Sequence, residues 1–187
     1  MSHADNKIEL FLQPGGCLVS DAAHRVSTLL GSCVSITLWH PVRRVGAMSH
    51  FLLSSRNAKP QAELDGRYGE EALSMMLREL ERRAVPPEQC QAKIFGGGNM
   101  FPGQPSGLDV GRANGETARR LLRLHGIGIV SESLFGIGHR QIIFDVGSGD
   151  VLVRQVKPVG IDEMISRQKA LERLPALRRL ASRESHT

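Results

Sequence analysis

Cys33 and His50 are the pair of residues in this sequence whose types and spacing point most directly to nucleophilic catalysis. Residues 26–39 and 44–54 contain alternating apolar and small polar side chains, which predicts two strands. A turn around Pro41 would join them as an antiparallel hairpin. With that turn centred between positions 41 and 42, Cys33 lies directly opposite His50, with Cβ atoms about 4.5–5.5 Å apart. A slip of one residue would send the two side chains to opposite faces.

The chemistry expected of such a pair is covalent catalysis. A thiol beside an imidazole can form a thiolate–imidazolium pair, which predicts that the pKa of Cys33 falls below its ordinary value of about 8.5. The preceding residues Gly31 and Ser32 allow close approach of the backbone, and N–H groups here could stabilise an oxyanion. The alternative from spacing alone is a buried structural cysteine that faces an unrelated histidine.

The other reactive residue types do not form a recognisable site. Cys17 is predicted to lie in a loop and Cys90 in a proline-rich connector, so both are interpreted as structural or surface thiols. Paired zinc-ligand motifs are absent, and Gly96–Gly98 matches no phosphate-binding motif. We therefore expect neither a metal nor an organic cofactor. The remaining histidines considered are predicted to be turn or surface residues: His24, His40, His125 and His139.

Composition excludes several classes of protein. The 187 residues are 41% hydrophobic and 23% charged, which is typical of one globular domain. The net charge of +5 is spread along the chain and only 4% of residues are aromatic, so we expect no nucleic-acid partner. We find no apolar run long enough for a membrane span and no signal sequence, which predicts a cytoplasmic protein without membrane insertion. Three irregularly spaced cysteines suit a reducing compartment.

The elements that must position Cys33 and His50 are predicted to form a single-domain α+β fold, a layered sandwich of β-sheet and helices with the pair on adjacent strands of the hairpin. The predicted helices are 68–83 and a second one capped by Asn114 that runs to residue 124. Further strands are predicted at 92–95, 127–134, 141–146 and 151–156, the last two joined by a hairpin loop at 147–150. Residues from 161 onward are predicted to form a basic extension, helical and then frayed.

Several motifs resemble one bacterial family. These are Leu29-Leu30-Gly31-Ser32-Cys33-Val34, His40-Pro41, Gly46-Ala47-Met48-Ser49-His50, Arg67-Tyr68, the run from Ala92 to Phe101, Gly111-Arg112-Ala113-Asn114, and His139-Arg140 through Phe144 to Gly149. Together they resemble CheD, the chemoreceptor glutamine deamidases of bacterial chemotaxis, over roughly residues 8–157. The resemblance implies a CheD-like domain over residues 1–160 and leaves 161–187 as an extension.

The resemblance also implies a reaction and partners. It implies hydrolysis of glutamine side chains to glutamate on methyl-accepting chemotaxis receptors, with Cys33 as nucleophile and His50 as base. The third family residue is a threonine six positions before the cysteine, where this sequence has Ser27 followed by Thr28, so either hydroxyl could orient His50. Implied partners are the cytoplasmic helical domains of the receptors and a CheC-type phosphatase. The alternatives are a non-catalytic binding module and a cysteine transglutaminase or protease.

Overall fold

The computed structural model describes residues 6–56, 63–102 and 109–156. Within these ranges the chain forms nine strands and two α-helices, besides a short 3-10 helix at Pro87–Gln89. The strands are β1 (Ile8–Phe11), β2 (Cys17–Asp21), β3 (His24–Leu30), β4 (Val34–His40), β5 (Val45–Ser49), β6 (Gln91–Gly96), β7 (Ile129–Leu134), β8 (His139–Asp145) and β9 (Val151–Val156). The helices are α1 (Gly69–Arg82) and α2 (Val110–Leu124). Neither is long and apolar enough to cross a membrane.

The strands form two sheets, and the helices contact one of them, so the fold has three layers. The first sheet has the order β1-β3-β8-β9 and the second the order β2-β5-β4-β6-β7. Contacts of α1 with β2 and β5, and of α2 with β4 and β6, place both helices on the second sheet. The α+β layered fold expected from the sequence is confirmed.

Two apolar cores separate the layers. One core joins the second sheet to the helices and includes Ile36, Leu38 and Leu73. The other lies between the sheets and includes Val26, Met48 and Phe144. Strand β4 is buried on both faces, because alternate residues point to the two sides of a strand and both sides of this one are covered. This central strand begins immediately after Cys33.

Several predicted elements are confirmed within two residues. Helix α1 lies within the predicted range 68–83, since its apolar residues recur at helical spacing and face the second sheet. Strands β6, β7, β8 and β9 also agree with prediction. The predicted start of α2 is wrong: the helix begins at Val110, and Asp109 caps it by accepting a hydrogen bond from the N–H of Arg112 at 2.9 Å. Asn114 is instead buried inside the helix.

The predicted first strand is wrong as a continuous element. Residues 26–39 form the end of β3 and nearly all of β4, which belong to different sheets, and the chain crosses between the sheets at residues 31–33. Strands β1 and β2 were not predicted. The expected extension from residue 161 lies outside the described residues.

Candidate active site

Cys33 lies where the chain crosses from the first sheet to the second. The carbonyl of Cys33 accepts a hydrogen bond from Gly97 N–H, and that of Gly31 accepts one from Gly98 N–H, both at 2.8 Å. Gly96 has a φ of +114°, and a Cβ there would lie only 2.2 Å from the Cys33 carbonyl oxygen. The glycine run Gly96–Gly98 therefore serves close backbone packing around the cysteine.

His50 directly follows β5 and is buried at 2% exposure. Its N–H donates to the carbonyl of Gly16 at 3.0 Å, and its carbonyl accepts from the N–H of Gly15 at 2.7 Å. The segment that enters β2 thus holds the backbone of the histidine on both sides. The sequence pattern of this segment predicts a loop and therefore does not indicate the contact.

Thr28 holds the imidazole ring in one tautomer. The Oγ1 of Thr28 lies 2.8 Å from His50 Nδ1 and donates to the Leu12 carbonyl at 2.7 Å. A hydroxyl has one proton to donate, so Oγ1 must accept from an Nδ1–H of the ring. The proton is then on Nδ1, and Nε2 has the free lone pair. Nε2 is buried and has no hydrogen-bond partner among the described residues.

Ser27 occupies the other face of the same strand. Side chains alternate along β3, and Thr28 is fully buried while Ser27 is half-buried. The hydroxyl of Ser27 donates to the Leu10 carbonyl at 3.4 Å, and the hydroxyl hydrogen-bonded to His50 is that of Thr28. Of the two hydroxyls considered from the sequence, the structure brings Thr28 to the histidine.

The predicted hairpin register between Cys33 and His50 is wrong by two residues. His40 pairs with Val45, and Val34 bridges Phe51, so in this register Cys33 would face Leu52 rather than His50. The turn is centred one residue later than predicted. Moving the centre by one residue shifts the partner of every strand residue by two positions. A shift of two keeps side chains on the same face. Cys33 and His50 are therefore not a directly opposed pair: Cys33 immediately precedes β4, and His50 immediately follows β5.

Burial sets the protonation of both groups. Desolvation raises the pKa of the Cys33 thiol, although its own backbone N–H opposes the rise. Desolvation also lowers the pKa of His50, against a smaller rise from the Leu12 carbonyl. Both shifts favour the neutral thiol and the neutral imidazole. The predicted lowering of the thiol pKa is therefore wrong for the resting protein, because burial outweighs any stabilisation of a thiolate.

Two backbone N–H groups at or next to Cys33 are available as donors. Among the described residues, the N–H groups of Ser32 and Cys33 donate no hydrogen bond to another residue. The N–H of Cys33 lies against its own sulfur. Preorganised N–H groups of this kind can stabilise an oxyanion that forms on a carbonyl attacked by that sulfur.

The other thiols lie in environments that suppress reactivity. Cys17 begins β2 rather than lying in a loop, and it lines a cavity of about 620 Å³ between β2 and α1. Its thiol donates to the Ala72 carbonyl, and burial raises its pKa to about 12. Burial and the nearby Glu88 carboxylate raise the pKa of Cys90 to about 11. Neither thiol has a basic partner among the described residues, which fits the interpretation of both as structural or surface thiols.

The remaining polar candidates have structural contacts. His40 was expected at a turn or on the surface, but it is buried, with Nε2 3.2 Å from Gln89 Oε1 and Nδ1 accepting from Arg43 N–H. It therefore anchors the hairpin turn from inside. Over residues 6–56, 63–102 and 109–156, no group of three or more His, Cys, Asp or Glu side chains could hold a metal ion.

Comparison with known proteins identifies the family. Residues 52–155 match the family model described as CheD chemotactic sensory transduction. The chain is 61% identical over 165 residues to the probable chemoreceptor glutamine deamidase CheD 2 of Albidiferax ferrireducens, covering 87% of this chain and 95% of the relative. It is 46% identical to the probable chemoreceptor glutamine deamidase CheD 3 of Dechloromonas aromatica, covering 81% of this chain and 90% of that protein.

The two kinds of match are complementary. The family-model match begins two residues after His50, so it concerns the strands and helices that surround the candidate pair rather than the pair itself. The relatives extend over more than four fifths of the chain, and a third, the probable deamidase CheD of Pseudomonas savastanoi pv. phaseolicola, is 41% identical over 86% of this chain and 92% of its own length. This chain belongs to the CheD family.

Proposed function

We propose that this protein hydrolyses glutamine side chains of chemoreceptors to glutamate, with Cys33 as the nucleophile and His50 as the general base. The names of its relatives support the substrate class. The observation that carries the chemistry is the chain of contacts from the Leu12 carbonyl through Thr28 to His50 Nδ1. It leaves a buried basic nitrogen, Nε2, with no partner of its own among the described residues.

The first half of the reaction transfers the acyl group to the enzyme. His50 Nε2 takes the proton of the Cys33 thiol as the sulfur attacks the amide carbon of the glutamine. Because the pKa shifts favour neutral partners, this proton transfer accompanies the attack instead of preceding it. The carbonyl oxygen becomes an oxyanion that the N–H groups of Ser32 and Cys33 stabilise. The imidazolium then protonates the nitrogen, and the C–N bond breaks to give ammonia and a thioester.

The second half releases glutamate. His50 Nε2 takes a proton from a water molecule, whose oxygen attacks the thioester carbonyl and forms a second oxyanion. The C–S bond breaks, the sulfur recovers the proton from His50, and the product leaves as a carboxylic acid that ionises in water. The sequence consumes one water for each ammonia and requires no metal or organic cofactor.

The separation of the two side chains bears on this mechanism. The thiol of Cys33 makes no hydrogen bond to His50 Nε2 in the structure. Hydrogen bonds of catalytic groups are often long or absent without substrate and form in the substrate complex. Rotation of the Cys33 side chain about its Cα–Cβ bond moves the sulfur without disturbing the backbone, whose carbonyl is held by Gly97.

A double-mutant cycle tests whether Cys33 and His50 act as one unit. Ammonia release is measured for Cys33→Ala, His50→Ala and the double variant with a purified receptor cytoplasmic domain as substrate. Residues that act together are strongly non-additive, so the double variant is expected to be no slower than the Cys33→Ala variant. Losses that multiply would mean that the two residues act independently. Wild-type activity in Cys33→Ala would rule out Cys33 as the nucleophile.

The same assay separates the proposal from its alternatives. A transglutaminase would incorporate an added primary amine, and a protease would shorten the receptor chain. A non-catalytic binding module would release no ammonia while still binding the receptor. Binding to a CheC-type phosphatase remains a prediction from the resemblance and is compatible with either activity.

A further inference from the structure

Asn114 connects the segments that carry the two proposed catalytic residues. It lies in α2 with only 1% of its surface exposed. Its Nδ2 donates to the carbonyl of Ser32 at 3.2 Å and to that of Leu52 at 2.7 Å. Ser32 precedes Cys33, and Leu52 follows His50 by two residues. One side-chain amide of α2 thus binds backbone carbonyls near both proposed catalytic residues.

The contact with Ser32 fixes the orientation of the next N–H. The peptide between Ser32 and Cys33 is trans, so its C=O and N–H point in opposite directions. A hydrogen bond that holds the Ser32 oxygen towards α2 therefore holds the Cys33 N–H away from it. This is the N–H that lies against the Cys33 sulfur and donates to no other residue in the described chain. A carbonyl that accepts a hydrogen bond also polarises its own peptide, which strengthens the N–H as a donor.

The amide of Asn114 is itself held in place. Its Oδ1 accepts a hydrogen bond from the Ser54 hydroxyl at 3.2 Å, which directs both amide N–H bonds to the two carbonyls. The first turn of α2 also packs closely on the glycine run, since a Cβ on Gly111 would lie 2.6 Å from the Gly97 oxygen. The helix therefore packs against the same loop that donates a hydrogen bond to the Cys33 carbonyl. Its close contact with this loop and the hydrogen bond from Ser54 fix the position of the Asn114 amide.

We propose that Asn114 is a positioning residue that aims the Cys33 N–H at the oxyanion formed during deamidation. This inference rests on the proposed function and adds a residue that makes no contact with the reacting atoms. It assigns Asn114 a large effect on the tetrahedral intermediate and only a small effect, through the contact of the Cys33 N–H with the sulfur, on alkylation of the thiol by reagents that form no oxyanion.

Two measurements on the same variants separate these effects. Asn114→Ala removes both donors, and Asn114→Ser keeps a hydroxyl that can donate to at most one carbonyl. Deamidation of a receptor cytoplasmic domain requires an oxyanion. Alkylation of Cys33 by iodoacetamide does not, because the sulfur displaces iodide from a saturated carbon. Thr117→Ala, a buried polar position one turn further along α2, is the matched control for packing of the helix.

The expected result is a fall in kcat of about 10–100-fold for Asn114→Ala, a smaller fall for Asn114→Ser, and little change in KM. The alkylation rate of Cys33 should stay within about threefold of wild type, and Thr117→Ala should be unaffected in both assays. Equal losses of deamidation and alkylation, an unchanged kcat, or failure of both Asn114 variants to fold would overturn the proposal, because each indicates a structural role. Wild-type protein that alkylates normally but releases no ammonia would instead refute the proposed function.

Discussion

At the scale of single residues, the proposed catalysis depends on which hydroxyl holds His50. The family position six residues before the cysteine is Ser27, whereas the contact in the structure is made by Thr28. Adjacent residues of a strand face opposite ways, so only one of them can serve the same ring. The sequence could not decide between them, since which face of β3 lies towards the histidine depends on how the two sheets pack.

Replacement of the two hydroxyls one at a time tests this assignment. Thr28→Val keeps the shape of the side chain but removes the acceptor for Nδ1–H, so kcat is expected to fall about 10–100-fold. Thr28→Ser retains a hydroxyl and should restore most of the activity. Ser27→Ala is the matched control and should behave like wild type in steady-state kinetics. A large loss in Ser27→Ala with little effect of Thr28→Val would reverse the assignment.

The pH dependence follows from the direction of the two shifts. Burial lowers the pKa of His50, so the base remains unprotonated at pH 6.5 and loses function only below that value. The acid limb of kcat/KM is therefore expected to have its midpoint below pH 6.5. Burial raises the pKa of the Cys33 thiol, so alkylation should continue to accelerate above the ordinary thiol value of about 8.5. An acid midpoint above 6.5 would contradict the described environment of the histidine.

At the scale of elements, the loop between β7 and β8 is organised by a buried arginine. Arg140 is 1% exposed, and its guanidinium donates to the carbonyls of Ser133 and Phe135 and to the Ser133 hydroxyl at 3.1 Å. The loop in turn bonds the glycine run, since Phe135 N–H donates to the Gly96 carbonyl at 2.9 Å. Arg140 thus supports the backbone around Cys33 from a distance.

Arg140→Lys tests the importance of this support for stability. A single ammonium group cannot reproduce the planar fork that reaches two carbonyls, so a buried acceptor is left unpaired. The expected loss in free energy of unfolding is about 2–4 kcal/mol, measured as a lower urea midpoint with an unchanged slope. Arg120→Lys, at a half-exposed ion pair with Glu70, is the control and should change the stability by less than about 0.5 kcal/mol. Equal effects of the two substitutions would refute the role of the buried guanidinium.

The elements that the sequence predicted well are those with strong periodicity. The apolar stripe of α1 and the alternation in β8 depend only on local spacing, and β9 follows β8 through a short hairpin loop. The break between β3 and β4 at residues 31–33 is not visible in the sequence, because the apolar pattern continues on both sides of it. Only the structure shows that the apolar residues on the two sides belong to different cores. Strands β1 and β2 were missed since they lie at sheet edges and are largely exposed or half-buried. The hairpin register depended on one residue in the turn, where Arg44 adopts a positive φ of 52°.

At the scale of the whole molecule, the candidate site is formed by residues from all three layers of the fold. Thr28 comes from the first sheet, His50 follows a strand of the second, and Asn114 comes from a helix on the far side of that sheet. Cys33 lies on the chain segment that joins the sheets. The sequence proposes Cys33 and His50 as catalytic residues from a hairpin and a family resemblance, and these roles stay predictions. It could not predict Asn114 or the Leu12 carbonyl as contacts, because each reaches the site through tertiary packing alone.

The extension over residues 161–187 is expected to be dispensable for the chemistry. It contains no cysteine and has six Lys or Arg residues against four acidic residues. Its removal should leave kcat unchanged and at most raise KM at low ionic strength, since basic residues favour encounter with an acidic surface and salt screens that attraction. Kinetics of a 1–160 variant at two salt concentrations check this. A large fall in kcat with the fold preserved would mean that the extension completes the site.

The central claim is tested most directly by the mass of the receptor itself. A purified receptor cytoplasmic domain is incubated with the protein, and its peptides are analysed by mass spectrometry. Wild-type protein is expected to add about 1 Da at selected glutamines, the change from amide to acid through a thioester. Cys17→Ala should do the same, whereas Cys33→Ala should leave every glutamine unchanged. Glutamines that stay intact with wild-type protein, or that are converted equally by Cys33→Ala, would contradict the proposed deamidation by Cys33.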